Sequence, residues 1–258
     1  MALQRVWRAL RGAWRLSRAV LHGLHGVAVV LLQFPSLSRD GRRARVHWWA
    51  GKMLRLLGLK LQVQGQFKPG AKMIAANHIS WLDILAVHAV CPEARFVSKA
   101  EVRQWPLVGS LVAAGDSLYI ERHRKRDALR VVHQSAEALL AGDTVAVFPE
   151  GTTGSGDALL PFHANLLQAA VATGAPVQPV ALRYADRQQP VSPHALWLGT
   201  TTLAGTLWLL ATAEGLVAHL VVLPPRATRH VDRRALADLL RVDIEAALAD
   251  LDHAHRPV

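Results

Sequence analysis

Two kinds of hydrophobic pattern divide the chain. Over residues 3–18, apolar and basic positions repeat with the period of an α-helix. One side carries Leu3, Trp7, Leu10 and Trp14, and the other carries Arg8, Arg11, Arg15 and Arg18. An apolar run follows over 19–34, and from residue 58 short apolar stretches alternate with helical ones. The pattern predicts N-terminal helices followed by an α/β body.

The body is predicted to contain six strands and five helices. The strands are expected at 59–63, 73–76, 118–120, 144–148, 177–184 and 218–223. The helices are expected at 81–90, 126–140, 161–173, 201–213 and 232–251. This alternation favours a mixed, largely parallel sheet covered by helices on both faces. We therefore expect N-terminal membrane-associating helices over 1–57 and an α/β domain over 58–258.

The charge of the chain indicates a class of partner. The chain of 258 residues has a net charge of +11, and residues 1–60 hold twelve Lys or Arg against one acid, Asp40. An anionic partner is expected: a membrane leaflet, a phosphate-bearing substrate or nucleic acid. Tryptophan and leucine opposite arginine are typical of a helix lying in a membrane interface. The alternative is a basic helix packed on its own domain.

The apolar run over 19–34 is short for a membrane span, which needs about 20 residues. A half-inserted or tilted segment fits it better, and no small-x-small cleavage pattern follows Phe34. The basic cluster that comes next favours the cytoplasmic side for the following domain: Arg39, Arg42, Arg43 and Arg45. We expect the protein at the inner membrane with its catalytic domain on the cytoplasmic side.

Composition excludes other classes. With 51% hydrophobic and 19% charged residues, the chain has enough apolar side chains for a core and is not of the disordered class. Its lone cysteine, Cys91, excludes an internal disulfide framework and is expected to be a small buried side chain. No metal site is expected, because there is no cysteine cluster or H-E-x-x-H pattern.

Polar groups stand where two predicted strands end, the place where α/β sheets bind ligands. The first string is Asn77-His78-Ile79-Ser80-Trp81-Leu82-Asp83, and the second is Phe148-Pro149-Glu150-Gly151-Thr152-Thr153. Five positions on a continuous helix rotate by about 140°, which would separate His78 from Asp83. The pair can therefore meet only if His78 precedes the helix, with Ser80 as a possible N-cap. A histidine held by a carboxylate can act as a general base.

These strings resemble motifs of the glycerolipid acyltransferases, a family that includes the 1-acylglycerol-3-phosphate acyltransferases. NHISWLD is similar to the family's N-H-x4-D motif and FPEGTT to its F-P-E-G-T/S motif. Residues 115–122 resemble a third block, in which Glu121 replaces a frequent aspartate, and 175–180 resemble a fourth. Four blocks in this order span roughly residues 50–225.

The resemblance implies a role for each residue. His78 would deprotonate the hydroxyl of a lysolipid, and Asp83 would orient the imidazole. Arg122 would bind the acceptor phosphate, with Glu150 holding Arg122 or a glycerol hydroxyl, the Gly151 N–H facing an anion and Thr152 adding a hydroxyl. Asn77 is assigned to substrate binding from its place in the first block. Lys99 is assigned to it because Lys99, Pro106 and Gly109 fall where family members often have a K…P…G run.

The implied reaction uses no cofactor. Acyl-CoA or acyl-acyl carrier protein would be the co-substrate, and the acyl group would pass directly to 1-acylglycerol-3-phosphate or another lysolipid, such as a lyso-ornithine lipid. A nucleophilic Ser80 or Cys91 is a second mechanism. Membrane lipids of an anionic leaflet, and not nucleic acid, are the expected partners. The rival of another class is a basic, non-catalytic protein that binds membranes or nucleic acid.

Overall fold

The computed structural model describes residues 2–105, 107–120, 125–199 and 201–255. The strands are β1 Lys60–Gln64, β2 Lys72–Ala76, β3 Ala94–Lys99, β4 Leu118–Ile120, β5 Thr144–Val147, β6 Val177–Ala185 and β7 Val217–Val222. The α-helices are α1 Ala2–Leu32, α2 Arg39–Leu56, α3 Leu82–His88, α4 Val108–Ala114, α5 Lys125–Leu140, α6 Gln168–Thr173, α7 Leu203–Thr212 and α8 Arg233–Ala254. Short 3-10 helices occupy Phe34–Ser36, Ala100–Gln104 and Ala164–Leu167.

The strands form one sheet in the order β1-β7-β6-β2-β5-β3-β4. Every neighbouring pair is parallel except β6 and β7, which confirms the prediction of a mixed, largely parallel sheet. Sequence patterns missed β3, α2 and α4. The helix predicted over 161–173 starts later, because the His163 N–H bonds to Pro149 O at 2.8 Å and holds the preceding residues against a loop.

Helices cover both faces of the sheet, so neighbouring strand residues enter different cores. Ile74 packs with Leu54 and Leu57 on the face covered by α2 and α3. Met73 packs with Leu240 on the opposite face, under α5, α6 and α8. This is the alternation expected of a strand buried on both sides. The first core runs across residue 57, and the division of the chain at that point stays a prediction.

The N-terminal segment is one continuous helix rather than two segments. α1 runs from Ala2 to Leu32, and α2 returns against it. Trp49 Nε1 donates to His22 O at 3.0 Å, and Gly26 leaves the space that the Trp49 ring fills. Among the described residues, α1 is the only helix long and apolar enough to cross a membrane, judged by length and composition alone.

Three arginines on the basic side of α1 bond the protein itself. Arg8 Nε donates to Thr212 O at 3.1 Å, and Arg15 Nη1 donates to Ala213 O at 2.8 Å. These carbonyls end α7, where the helix dipole attracts cations. Arg11 pairs with Glu214 at 2.5 Å beside them. The alternative of a basic helix packed on its own domain is therefore correct for these arginines, while the Trp-bearing side stays exposed.

Candidate functional site

The two polar strings meet at the carboxyl ends of neighbouring strands. β2 and β5 pair in parallel, with Ala75 opposite Val147, so the residues that follow them emerge at the same edge. Glu150 Oε1 accepts a hydrogen bond from His78 N at 2.7 Å, and Gly154 N donates to His78 O at 2.7 Å. The backbone of His78 is thus held on both sides by the second loop.

His78 and Asp83 form the hydrogen bond predicted from their spacing. His78 lies before α3 and Asp83 in its first turn, and Nδ1–H donates to Asp83 Oδ2 at 2.8 Å. The same oxygen accepts from Ile79 N at 2.8 Å and Ser80 N at 2.9 Å. The Asp83 side chain is 0% exposed, whereas that of His78 is 19% exposed. The carboxylate is therefore the internal member of the pair and the imidazole its accessible one.

Ser80 is not the N-cap of α3. Trp81 occupies the N-cap position without a side-chain bond, and the Asp83 carboxylate bonds the N–H groups just before the helix. The Ser80 hydroxyl is buried and has no partner within the described residues. A nucleophilic Ser80 is therefore contradicted, because a fully buried hydroxyl cannot reach a thioester.

Cys91 is equally unsuited to be a nucleophile. Its side chain is buried, as expected of a small apolar residue. Burial, followed by the charge of Glu93, raises the pKa of the thiol well above its ordinary value. The reactive thiolate is therefore disfavoured, which leaves direct transfer as the mechanism that fits the site.

An aromatic stack sets the plane of the imidazole. The rings of His78 and Phe148 lie 3.9 Å apart between centroids and 9° from parallel. Phe148 stacks in turn on Phe96 at 5.5 Å. No hydrogen bond is made to His78 Nε2 within the described part of the chain, and Nδ1 is committed to Asp83. The ring is thus oriented with one nitrogen left to take a proton.

Tyr184 completes the environment of Asp83, and sequence reasoning missed it. Its hydroxyl donates to Asp83 Oδ1 at 2.7 Å, from the end of β6 and 101 positions along the chain. Only the pairing of β6 beside β2 brings the two together. No spacing rule in the sequence points to this contact.

Asn77 does not bind substrate directly. Its Nδ2 donates to Leu182 O at 3.0 Å, its Oδ1 accepts from Leu182 N at 2.7 Å, and the residue is 1% exposed. Both ends of the amide are used by the backbone of β6. Asn77 therefore holds the backbone at the end of β2, next to His78. This corrects the prediction that Asn77 binds substrate.

Glu150 bonds backbone groups within the described residues. Of its two predicted partners, Arg122 lies outside the described residues, so only the glycerol hydroxyl can be assessed. Its Oε1 accepts from His78 N, as above, and its Oε2 accepts from Leu160 N at 2.9 Å. Burial raises the pKa of this carboxyl, and the two backbone donors partly oppose that rise. With both oxygens engaged and 4% of the residue exposed, Glu150 bridges two loops rather than binding a glycerol hydroxyl.

Some of the remaining predicted site residues are described by the structure, and others are not. Gly151 has a left-handed φ of +72°, which favours glycine, but its N–H donates to Phe148 O at 3.0 Å, so the expectation that it faces an anion is wrong. Thr152 is exposed beside it.

The structure does not describe two of the predicted binding side chains. Lys99 is the last residue of β3, but its side chain is not among the described parts of the structure. Arg122 lies outside the described residues, as do Glu121, His123 and Arg124.

A pair of tryptophans lies next to the site. Trp197 N donates to Ile79 O at 3.2 Å, and its own carbonyl accepts from Thr153 Oγ1 at 2.5 Å. The Trp197 ring is 6.3 Å from that of Trp105, which is 38% exposed. Apolar surface therefore borders the loop that carries His78. Within the described residues, no group of three His, Cys, Asp or Glu side chains could hold a metal ion.

Comparison with known proteins identifies relatives of this arrangement. A family model described as acyltransferase matches residues 60–183. The chain is 36% identical over 197 residues to a 1-acyl-sn-glycerol-3-phosphate acyltransferase of Neisseria meningitidis serogroup B, covering 75% of this chain and 76% of the relative. It is 34% identical over 207 residues to a lyso-ornithine lipid O-acyltransferase of Pseudomonas aeruginosa, covering 80% and 79%.

The fold also matches a solved structure. The crystal structure of the 1-acyl-sn-glycerophosphate acyltransferase from Thermotoga maritima superposes with a TM-score of 0.71. It covers 96% of this chain and 97% of its own at 20% identity. The arrangement of sheet and helices, including the N-terminal pair, is therefore shared over nearly the whole length.

The bridging role of Glu150 predicts a loss of stability in Glu150→Gln. The amide keeps the shape but turns its NH2 toward either His78 N or Leu160 N, so one buried donor loses its acceptor. We expect a loss of about 1–3 kcal/mol in the free energy of unfolding, measured by denaturant titration. Glu137→Gln, the same change at an exposed site on α5, is the control. Equal stability of the two variants would contradict the bridge.

Proposed function

Because this chain belongs to the acyltransferase family, we propose that it transfers a fatty acyl group from a thioester to the free hydroxyl of a lysolipid. The first acceptor we propose is 1-acylglycerol-3-phosphate, which would give phosphatidic acid. The observation that carries the proposal is the His78–Asp83 hydrogen bond, which leaves Nε2 of a partly exposed ring without a partner among the described residues.

The proposed reaction needs one base and no acyl-enzyme. His78 Nε2 takes the proton of the acceptor hydroxyl as its oxygen attacks the thioester carbonyl. The tetrahedral intermediate collapses, the carbon–sulfur bond breaks, and the imidazolium returns the proton to the leaving thiolate. Asp83 stabilises the imidazolium through Nδ1. A base placed in this way contributes about 10²–10⁴ in rate.

A cationic acceptor site is the second part of the proposal. Arg122 follows β4, and its planar guanidinium suits the oxygens of a phosphate. Four residues that follow Arg122 in the sequence add to the basic charge, which we propose meets a lipid headgroup or the phosphates of the acyl donor: His123, Arg124, Lys125 and Arg126. The donor is proposed to be acyl-CoA or acyl-acyl carrier protein, as a co-substrate rather than a cofactor.

A lyso-ornithine lipid is the second candidate acceptor. The relatives that act on 1-acyl-sn-glycerol-3-phosphate and on lyso-ornithine lipid are 36% and 34% identical to this chain, so similarity alone does not separate them. An ornithine headgroup has no phosphate, so only 1-acylglycerol-3-phosphate would offer Arg122 a phosphate to bind.

The proposed location is the cytoplasmic face of the inner membrane, with α1 lying in the interface. Trp7 and Trp14 are 66% and 63% exposed on the side of α1 that faces away from the protein. Trp208 on α7 is a further exposed tryptophan, at 43%. Large exposed apolar areas mark membrane or partner contacts. This surface also favours lipid over nucleic acid as the partner.

His78→Ala is expected to lower acyl transfer about 10²–10⁴-fold, because the base is lost. The assay uses purified protein, a panel of lysolipid acceptors including both candidates, and acyl-CoA and acyl carrier protein donors. His133→Ala, on the exposed side of α5, is the matched control. Undiminished turnover by a folded His78→Ala protein would refute the assignment of the base.

Arg122→Ala is expected to raise the KM for a phosphate-bearing acceptor about tenfold with little change in kcat, because ground-state binding of the phosphate is lost. Arg234→Ala, at an exposed position on α8, is the control. An unchanged KM for 1-acylglycerol-3-phosphate would remove Arg122 from the acceptor site. A rise confined to that acceptor would distinguish it from the ornithine lipid.

The double variant Trp7→Ser/Trp14→Ser is expected to reduce binding to vesicles of anionic phospholipid about tenfold or more, because two amphipathic rings leave the interface. Point substitutions are preferable to deleting α1, whose arginines bond α7. Leu239→Ser/Val242→Ser, exposed on α8 across the sheet, is the matched control. Equal sedimentation of both variants with vesicles would place the membrane contact elsewhere.

A further inference from the structure

Tyr184 is a buried residue whose hydroxyl is directed at the carboxylate of Asp83. It lies near the end of β6 and is 1% exposed. Its Oη donates to Asp83 Oδ1 at 2.7 Å. Tyr184 does not reach the substrate position, because the Asp83 side chain, itself 0% exposed, stands between it and His78.

The two oxygens of Asp83 have different surroundings. Oδ2 accepts three hydrogen bonds, from His78 Nδ1, Ile79 N and Ser80 N. Among the described residues, Oδ1 has a single partner, the Tyr184 hydroxyl. That hydroxyl therefore prevents rotation of the carboxylate about its terminal torsion, which would carry Oδ2 away from Nδ1.

The tyrosine is itself firmly held. Its backbone carbonyl accepts from Ser192 N at 2.7 Å, and its ring packs in the core with Ile79 and Leu82. Burial, and then the charge of Asp83, raise the pKa of the Tyr184 hydroxyl well above its ordinary value. With a raised pKa the hydroxyl is protonated at neutral pH, so it acts as a hydrogen-bond donor to Asp83.

We propose that Tyr184 is a positioning residue, which fixes the rotamer of Asp83 and limits the negative charge that Asp83 presents to His78. This inference rests on the proposed function, in which His78 is the base. A hydrogen bond donated to a carboxylate withdraws charge from it. Removing the donor leaves Asp83 more negative, so the imidazolium is favoured and His78 holds its proton to higher pH.

The first test is Tyr184→Phe, which removes the oxygen and keeps the ring. We expect kcat to fall about tenfold, less than for loss of the base itself, with KM for both substrates unchanged. The acid limb of the kcat/KM profile should move to higher pH. The titration of the His78 ring, followed by NMR and assigned by its absence in His78→Ala, should move in the same direction.

The matched control is Tyr119→Phe. Tyr119 is the other tyrosine of the chain, and its hydroxyl has no hydrogen-bond partner among the described residues. Losing an unpaired hydroxyl should leave kcat, the pH profile and the His78 titration unchanged.

A second change is expected to shift the His78 titration in the opposite direction. It also tests the proposal if Tyr184→Phe does not fold. In the Tyr119→Phe background, biosynthetic replacement of tyrosine by meta-fluorotyrosine alters Tyr184 alone. Fluorine makes the hydroxyl a stronger donor with almost no change in shape. The acid limb and the His78 titration should then move to lower pH.

The outcomes test the role of Tyr184 separately from the proposed acyltransferase function. Opposite shifts for the phenylalanine and fluorotyrosine proteins support the positioning role. An unmoved His78 titration in either altered protein, or shifts of the same sign in both, overturns it even when His78→Ala is inactive. If the unaltered protein transfers no acyl group to any acceptor, the proposed function fails, while the titration still reports on Tyr184 and Asp83.

Discussion

The candidate site depends on one buried carboxylate and the four hydrogen bonds it accepts. Asp83 binds the imidazole of His78, two backbone N–H groups and the hydroxyl of Tyr184. A buried charge is costly unless it is fully hydrogen-bonded. Satisfying Asp83 therefore requires that the loop after β2, the first turn of α3 and the end of β6 adopt a single arrangement. In this arrangement no group in the described part of the chain bonds Nε2 of His78.

Two residues predicted to bind substrate, one next to the base in sequence and one 72 positions away, instead support it from inside the protein. Asn77 ties the exit of β2 to β6, and Glu150 ties the His78 backbone to the loop that follows β5. Both side chains use their polar atoms on backbone groups inside the protein. Positioning by buried groups keeps a catalytic side chain within the small tolerance that proton transfer requires. Of the residues predicted to bind substrate, Thr152 is exposed and therefore accessible to one.

The N-terminal helix α1 packs against the protein on one side and exposes apolar side chains on another. Arg8 and Arg15 bond the last carbonyls of α7, so the basic side of α1 stabilises a helix C-terminus. Its tryptophans are left facing outward. Arg8 also approaches His194 at 3.3 Å, in the segment whose Ser192 bonds the carbonyl of Tyr184. The apolar surface of α1 is thereby fixed relative to the site.

The sequence by itself determined the fold class, most of the strands and the meeting of His78 with Asp83. Hydrophobic periodicity reports burial directly, and a short loop before a helix can be reasoned about locally. The tertiary structure alone decided that Tyr184 reaches Asp83, that Glu150 and Asn77 point inward, and that the arginines of α1 bind α7. Each of those contacts joins groups far apart in the chain, where strand order and helix packing, rather than spacing, set the distance.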